Sequence, residues 1–288
     1  MAANKNLLGA ILLGTSWIFF TVEMTVVRLL VPEFSIYLIV FLRLATQAIL
    51  LAPFAFSDWN KIAGTSRFRL HFLRASLSVV GMALFYYAFA NLPMATATTL
   101  TFTVPAFVSI LAALFLSERV GLTRSLAIGL GFLGVLIIMR PGFITFEPAM
   151  IVALLGAFFA ACLFVVTRSL SFSESRFTVM FYSAWLGLAV VSIPAYINLE
   201  TINLVDALKL GIVGLFGTAG QFLMVGALQI AEASAIAPVD YVRLLLALMV
   251  GFFMFDEVPD LWTWAGSAII ISAVFLNSKD DLLGQKSI

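Results

Sequence analysis

Long apolar runs recur along the whole chain and constrain its fold more than any other feature. A transmembrane helix needs about 20 mainly apolar residues. Ten runs of roughly this length cover residues 7–30, 34–56, 71–91, 94–116, 124–140, 148–168, 176–197, 205–229, 233–255 and 261–277. Charged residues make up only 11% of the chain, against about 25% in a soluble domain. The sequence therefore predicts an all-α polytopic membrane protein with ten transmembrane helices.

The basic residues outside the spans predict the orientation of these helices. If the N-terminus is cytoplasmic, all of them except Arg28, Arg140 and Lys209 fall on the cytoplasmic side. An excess of Lys and Arg marks the cytoplasmic loops of membrane proteins. We therefore expect both termini in the cytoplasm. The short loops and the lack of a targeting tail favour a bacterial inner membrane.

The composition argues against several classes of function. A net charge of +1 provides no electrostatic basis for binding nucleic acid. With one cysteine, Cys162, and one histidine, His71, the chain lacks the material for a His/Cys metal cluster or an intramembrane catalytic set. The phosphate-binding pattern G-x-x-x-x-G-K-[ST] of ATP-driven pumps is also missing. The sequence thus predicts no enzyme activity, no catalytic residues, no metal and no cofactor.

The two halves of the chain share one layout. A constant offset of half the chain pairs Gly81 with Gly220 and Glu118 with Glu257. The offset corresponds to about five spans, an odd number, so the second half should enter the membrane from the opposite side. Inverted repeats of this kind are typical of secondary transporters whose solute site lies near the midplane between the halves. We therefore expect two five-helix repeats, residues 1–142 and 143–288.

Three segments resemble a known family. They are YYAFANLPMATATTLTFTVPAFVSILAALFLSERVG, IGLGFLGVLIIMRPG and FDEVPDLWTWAGSAII, and with them the chain resembles the drug/metabolite transporter superfamily in its EamA-type branch. The resemblance extends over nearly the whole chain. It implies ten helices in two inverted five-helix repeats, cytoplasmic termini and alternating-access transport of small organic solutes. It does not identify the solute.

Charged groups at membrane depth mark the candidate site, because they are costly in lipid unless they are paired or functional. Arg43 lies near the centre of the second span, and Glu23 lies at a similar depth in the first. The short turn at 31–33 makes these two spans neighbours. The sequence therefore predicts either a Glu23–Arg43 ion pair that locks two helices together or a pair that addresses one zwitterionic solute.

A second set of polar residues falls at corresponding depths in other spans. Asp240 and Arg243 share a helix face, and the repeat offset places them opposite Thr101 and Val104. The same offset maps Arg43 onto Tyr182. The predicted solute-binding residues are Glu23, Arg43, Gln47, Tyr86, Thr101, Tyr182, Gln221, Asp240, Tyr241 and Arg243. Each of them also has a purely structural interpretation in helix packing.

Other charged residues are expected to have structural roles. Arg28, Arg74 and His71 lie near span ends, where long or polar side chains snorkel to the interface. Glu118 and Glu257 lie in turns, where they are expected to cap the helix that follows. The glycines of the eighth span, Gly211, Gly214, Gly217 and Gly220, predict close helix packing.

These features predict a secondary transporter of a small polar organic metabolite, an amino acid or related zwitterion, that works by alternating access. S-adenosylmethionine, another nucleoside-type solute or an organic anion are alternatives. Glu23 or Asp240 would serve for proton coupling, whereas exchange with a second solute needs no such group, and a homodimer is left open. A lipid scramblase is disfavoured, because the buried charges are expected to face inward, and an intramembrane enzyme is disfavoured by the single histidine and single cysteine.

Overall fold

The described part of the chain folds into helices. The computed structural model describes residues 2–57, 65–104, 106–108, 110–111, 122–139, 147–171, 173–230, 239 and 242–284. In these ranges the helices are α1 (Ala2–Leu30), α2 (Ile36–Ser57), α3 (Phe68–Asn91), α4 (Met94–Thr101), α5 (Leu122–Met139), α6 (Pro148–Ser171), α7 (Arg176–Ile197), α8 (Leu204–Ile230), α9 (Val242–Phe255) and α10 (Leu261–Gly284). Each helix overlaps one of the predicted apolar runs, which confirms the all-α class.

Six of these helices are long and apolar enough to cross a membrane. These stretches are Leu7–Leu30, Ile36–Phe54, Phe68–Asn91, Pro148–Thr167, Arg176–Ile197 and Leu204–Ala227. Shorter apolar helices occur at Met94–Val108, Gly129–Ile138, Val242–Phe255 and Leu261–Ser272. The polytopic membrane class is therefore confirmed, and the count of ten crossings stays a prediction.

The helices pack in a pattern that is largely preserved when the two halves are exchanged. Helix α1 packs on α8, and its counterpart α6 packs on α3. In the same way α2 contacts α8 while α7 contacts α3, and α1 contacts α9 while α6 contacts α4. The helices of the pairs α2–α7, α4–α9 and α5–α10 also pack on each other, and exchanging the halves only swaps the two members of each pair. Helices of the two halves therefore pack against each other along much of the bundle.

Local sequence explains where several helices begin. The Ser175 hydroxyl accepts a hydrogen bond from the Thr178 N–H at 3.1 Å, and Asp260 Oδ1 accepts one from the Thr263 N–H at 2.9 Å. Both are N-cap bonds, which satisfy donors that lack a partner inside the helix. Pro93 precedes α4, a position where its missing N–H costs nothing.

Close backbone approach between α5 and α10 depends on two glycines. A Cβ at Gly134 would lie 2.9 Å from the Gly266 carbonyl oxygen, and a Cβ at Gly266 would lie 2.7 Å from the Gly134 carbonyl oxygen. Small residues allow such contact between membrane helices. The α5–α10 pair is thereby held together beside the central helices.

Candidate solute-binding site

Arg43 on α2 is the centre of a buried polar network. Its side chain is 4% exposed, and its Nε donates to Glu23 Oε1 on α1 at 3.3 Å. Its Nη1 donates to Gln47 Oε1, one turn later on the same helix. Its Nη2 donates to Gln221 Oε1 on α8 at 3.3 Å. The guanidinium therefore connects the first repeat to the second.

Glu23 is held from three sides. It is 2% exposed, and its Oε1 accepts a hydrogen bond of 2.6 Å from the Tyr86 hydroxyl on α3, in addition to the contact with Arg43. On the third side it lies against the backbone of α8 at Gly217. A Cβ at this glycine would lie 2.5 Å from Glu23 Oε1. The carboxylate therefore occupies space that only a glycine leaves open.

Gln47 extends the network to a fifth helix. It is fully buried, and its Nε2 donates to the Met180 carbonyl oxygen on α7 at 3.2 Å. The network of Glu23, Arg43, Gln47, Tyr86 and Gln221, called the Arg43 network below, thus joins α1, α2, α3, α7 and α8.

The Arg43 network is enclosed by an apolar shell. Val27, Leu44 and Val213 belong to this shell and are completely buried. Inside such a shell charges attract each other more strongly than in water, and an unpaired charge is correspondingly costly. Glu23 and Arg43 balance each other there, so the predicted ion pair is present. The arrangement can present one negative and one positive group to a solute between the repeats.

The other predicted residues divide into separate groups. The Arg243 guanidinium carbon lies 4.0 Å from the Phe102 ring centre and 4.8 Å from that of Trp17, a cation–π arrangement. Thr101 is buried beside this group, and its hydroxyl donates to the Thr98 carbonyl oxygen at 2.6 Å. The hydroxyl hydrogen of Thr101 is therefore already engaged in a hydrogen bond within α4. Asp240 and Tyr241 lie outside the described residues.

Tyr182 stands near the beginning of α3. Its ring centre lies 4.5 Å from that of His71 and 6.3 Å from that of Phe68. Phe68 is the first residue of α3, so this aromatic group lies at the end of the bundle where α3 starts.

The structure contradicts the predicted snorkelling of Arg74 and His71. Arg74 is 4% exposed and His71 is 1% exposed, because α6 and α7 pack over this face of α3. Arg74 Nε donates to Thr167 Oγ1 on α6 at 2.9 Å, and His71 Nε2 lies 3.8 Å from Glu174 Oε1.

The prediction for Arg28 is also wrong, whereas Glu257 does cap a helix as expected, but not the helix that follows it. Arg28 Nη2 forms an ion pair of 2.5 Å with Glu257 Oε1, and its guanidinium carbon lies 4.1 Å from the Phe255 ring centre. Glu257 Oε2 accepts a bond of 2.8 Å from the Met94 N–H. Glu257 therefore caps α4, whereas the following helix α10 is capped by Asp260. Glu118 lies outside the described residues.

Gly217 on α8 leaves the space that Glu23 of the Arg43 network occupies, and a substitution there tests this packing. Replacing Gly217 with alanine should lower stability by about 1–3 kcal/mol, because Glu23 is tethered by Tyr86 and Arg43 and cannot retreat. Thermal unfolding in detergent measures this effect, and solute uptake should fall with it.

Gly211→Ala on the same helix is the matched control. Among the described residues nothing lies within 4 Å of a Cβ at Gly211. Alanine is favoured over glycine within a helix by about 1 kcal/mol, so this variant should be as stable as the parent or more so. Equal losses in both variants would contradict the close packing of Glu23 on Gly217.

No group of three His, Cys, Asp or Glu side chains that could hold a metal ion occurs in the part of the chain that the structure describes.

Comparison with known proteins places the chain in a family. A model of the EamA-like transporter family matches residues 7–140 and again residues 147–279. An S-adenosylmethionine uptake transporter of Rickettsia bellii is 35% identical over 236 residues, which cover 82% of this chain and 81% of that protein. A riboflavin transporter of Brucella anthropi is 28% identical over 256 residues, which cover 85% of this chain and 88% of that protein.

A crystal structure of another protein has the same fold, with a TM-score of 0.58 at 16% identity over 99% of both chains. The family model matches most of this chain in two consecutive copies, and the relatives are named as transporters of small metabolites. The chain therefore belongs to the EamA-like transporter family and is an integral membrane transporter of small metabolites, not an enzyme.

Proposed function

We propose that this protein transports S-adenosylmethionine, or a closely related adenosyl zwitterion, across a bacterial inner membrane by alternating access. The observation that carries the proposal is the 35% identity to an S-adenosylmethionine uptake transporter over 82% of the chain. An amino acid alone, the first expectation from the sequence, receives no support from these relatives. S-adenosylmethionine nevertheless contains the zwitterionic amino-acid group that the buried charges suggested.

The chemistry of the Arg43 network supports a solute that carries a positive charge. S-adenosylmethionine has an ammonium group, a sulfonium centre, a carboxylate and an adenine ring. In this proposal Glu23 attracts a cationic group of the solute, while Tyr86 and Arg43 hold the Glu23 carboxylate in place. Gln221 belongs to the second repeat and changes its position relative to Arg43 when the repeats move.

Aromatic groups near the network suit the adenine ring. Trp17 lies six residues before Glu23 on α1, a distance of about 9 Å at 1.5 Å per residue. Aromatic side chains stack readily on nucleobases. In the proposal Trp17 provides an aromatic face for the adenine ring, next to the Arg243 guanidinium, whose carbon lies 4.8 Å from the Trp17 ring centre.

The proposed movement follows from the contacts between the two repeats. Residues 1–142 and 143–288 rock against each other, with both termini in the cytoplasm. The Arg43 network joins α1, α2 and α3 of the first repeat to α7 and α8 of the second. Because the network has members in both repeats, a solute that binds there interacts with both at once. Such simultaneous contact is required if binding of the solute is to change the side of the membrane from which the site is accessible.

Uptake of labelled S-adenosylmethionine into proteoliposomes tests the proposal. We expect saturable uptake that unlabelled S-adenosylmethionine competes away and that free methionine does not. Protein-free liposomes are the control. A comparison with and without a pH gradient tests whether a proton accompanies the solute. If S-adenosylmethionine shows no saturable uptake under either condition, the proposal is wrong.

Riboflavin is the second candidate, since a relative named as a riboflavin transporter covers 85% of the chain at 28% identity. Riboflavin carries no carboxylate and no fixed charge, and therefore makes less use of the charged groups of the Arg43 network. If labelled riboflavin is taken up and S-adenosylmethionine does not compete with it, the second candidate replaces the first.

A further inference from the structure

Arg74 is a buried cation whose hydrogen bonds are incomplete among the residues that the structure describes. It lies in the second turn of α3 and is 4% exposed. Its Nε donates to Thr167 Oγ1 at 2.9 Å. Its Nη1 is buried, and no residue that the structure describes accepts a hydrogen bond from this atom. The guanidinium is therefore fixed at Nε, while Nη1 has no acceptor among the described residues.

The charge of Arg74 is also not compensated by a carboxylate. None of the ion pairs among the described residues includes Arg74. The charged group that acts on it, Arg43, is of the same sign. An isolated buried cation is costly, so this position favours the arrival of an anionic group.

Arg43 is less suited than Arg74 to bind an anionic group of a solute. Its guanidinium already donates to Glu23, Gln47 and Gln221. A solute carboxylate at Arg43 would have to displace one of these acceptors, whereas at Arg74 it would gain a bond to a donor that has none.

The polar neighbours of Arg74 are a buried histidine and a carboxylate that is directed elsewhere. His71, one turn earlier on α3, is buried, and the described residues provide no hydrogen-bond partner for either of its ring nitrogens. The carboxylate of Glu174 lies 3.8 Å from His71 Nε2 and accepts a bond of 2.6 Å from the Thr65 hydroxyl. Glu174 therefore faces His71 and Thr65, and within the described part of the chain it forms no ion pair with Arg74.

We propose that Arg74 is the residue that binds the carboxylate of the solute. Glu23 and Arg74 then receive the two opposite charges of one zwitterion. Thr167 of the second repeat orients the guanidinium, so that the carboxylate also links both repeats. This inference rests on the proposed function, because it assigns one end of the proposed solute.

A pair of ligands that differ only in the carboxylate tests the inference. They are S-adenosylmethionine and its decarboxylated form, in which a hydrogen atom replaces the carboxylate. Binding of each to the purified full-length protein is measured by competition with labelled S-adenosylmethionine. The parent protein should prefer S-adenosylmethionine by about ten- to hundredfold, the range expected for a charge-assisted hydrogen bond.

Arg74→Gln should remove this preference, so that both ligands bind with equal affinity. Arg74→Lys retains a positive charge without the planar fork and should keep part of the preference. Arg69→Gln removes an exposed arginine from the same helix and is the matched control, which should behave like the parent. If Arg74→Gln does not fold, the assignment of Arg74 is still tested by the lysine variant and by the comparison of the two ligands on the parent protein.

The outcomes separate the two proposals. If the parent binds S-adenosylmethionine but shows no preference over the decarboxylated form, or if Arg74→Gln keeps the preference, the assignment of Arg74 is wrong and the proposed function stands. If the parent binds neither compound, the proposed function fails and the assignment fails with it.

Discussion

Replacing Arg43 with methionine should lower the free energy of unfolding by about 3–5 kcal/mol, the cost of leaving one partner of a buried ion pair uncompensated. Glu23 would remain 2% exposed inside an apolar shell with only the Tyr86 hydroxyl to stabilise it. Thermal unfolding of the detergent-solubilised protein, followed by size-exclusion chromatography, measures the loss. Solute uptake should be abolished in the same variant.

A double variant separates the structural role of this pair from its role in transport. Glu23→Gln combined with Arg43→Met removes both charges, and replacing a whole buried pair is often close to neutral for stability. We therefore expect the double variant to recover most of the lost stability and to remain unable to transport. A double variant that is stable and transports at the parental rate would show that the pair only holds helices together.

Replacing Glu257 with alanine should lower stability by about 2–4 kcal/mol, since it removes a helix cap and an ion pair together. Glu257 caps α4 through the Met94 N–H and pairs with Arg28 at 2.5 Å. Its loss would leave the guanidinium of Arg28, which is 18% exposed, without its carboxylate. The effect should appear as a lower unfolding temperature, and the Arg28→Ala, Glu257→Ala double-mutant cycle should show a coupling of about 1–3 kcal/mol.

Asp256→Asn is the control for this prediction. Asp256 is the neighbouring acidic residue and is exposed, and its φ of 52° is one that asparagine also adopts. This variant removes the same charge from the same turn and should change stability by less than about 0.5 kcal/mol. If both substitutions cost the same, the loss would come from the charge of the turn and not from the bonds of Glu257.

The sequence was sufficient to predict the ion pair between Glu23 and Arg43. The short turn at 31–33 makes α1 and α2 neighbours, and a rise of about 1.5 Å per residue places both charges at nearly the same depth. Two opposite charges at one depth on adjacent helices have a strong reason to pair in a medium without water. The structure brings them together as expected, at 3.3 Å, and their role in binding a solute stays a proposal.

The remaining partners of the Arg43 network could not be deduced in this way. Tyr86, Gln221 and the Met180 carbonyl oxygen reach it from α3, α8 and α7. Tyr86 and Gln221 were among the candidates because of their depth, but depth alone does not indicate which helices meet. The cap of α4 by Glu257 likewise joins residues that are 163 positions apart.

Arg74 shows most clearly why the sequence was not enough. Its position near a span end is compatible with snorkelling to the membrane surface, and only the packing of α6 over α3 buries it. In a soluble protein, the polar face of a helix would reveal which side meets water. In a membrane, lipid-facing and protein-facing surfaces are both apolar, so this signal is lost.

By itself the sequence determined which segments are apolar enough to enter a membrane and which charges there required a partner. These properties follow from the cost of transferring each side chain and each backbone group into lipid, and that cost depends on local composition. The tertiary structure decided which helices became neighbours. It thereby decided that Arg43 is fully paired and that Arg74 has no carboxylate partner among the described residues. The physical reason is that hydrogen bonds and ion pairs form only over a few ångströms, and the packing of the helices alone sets those distances.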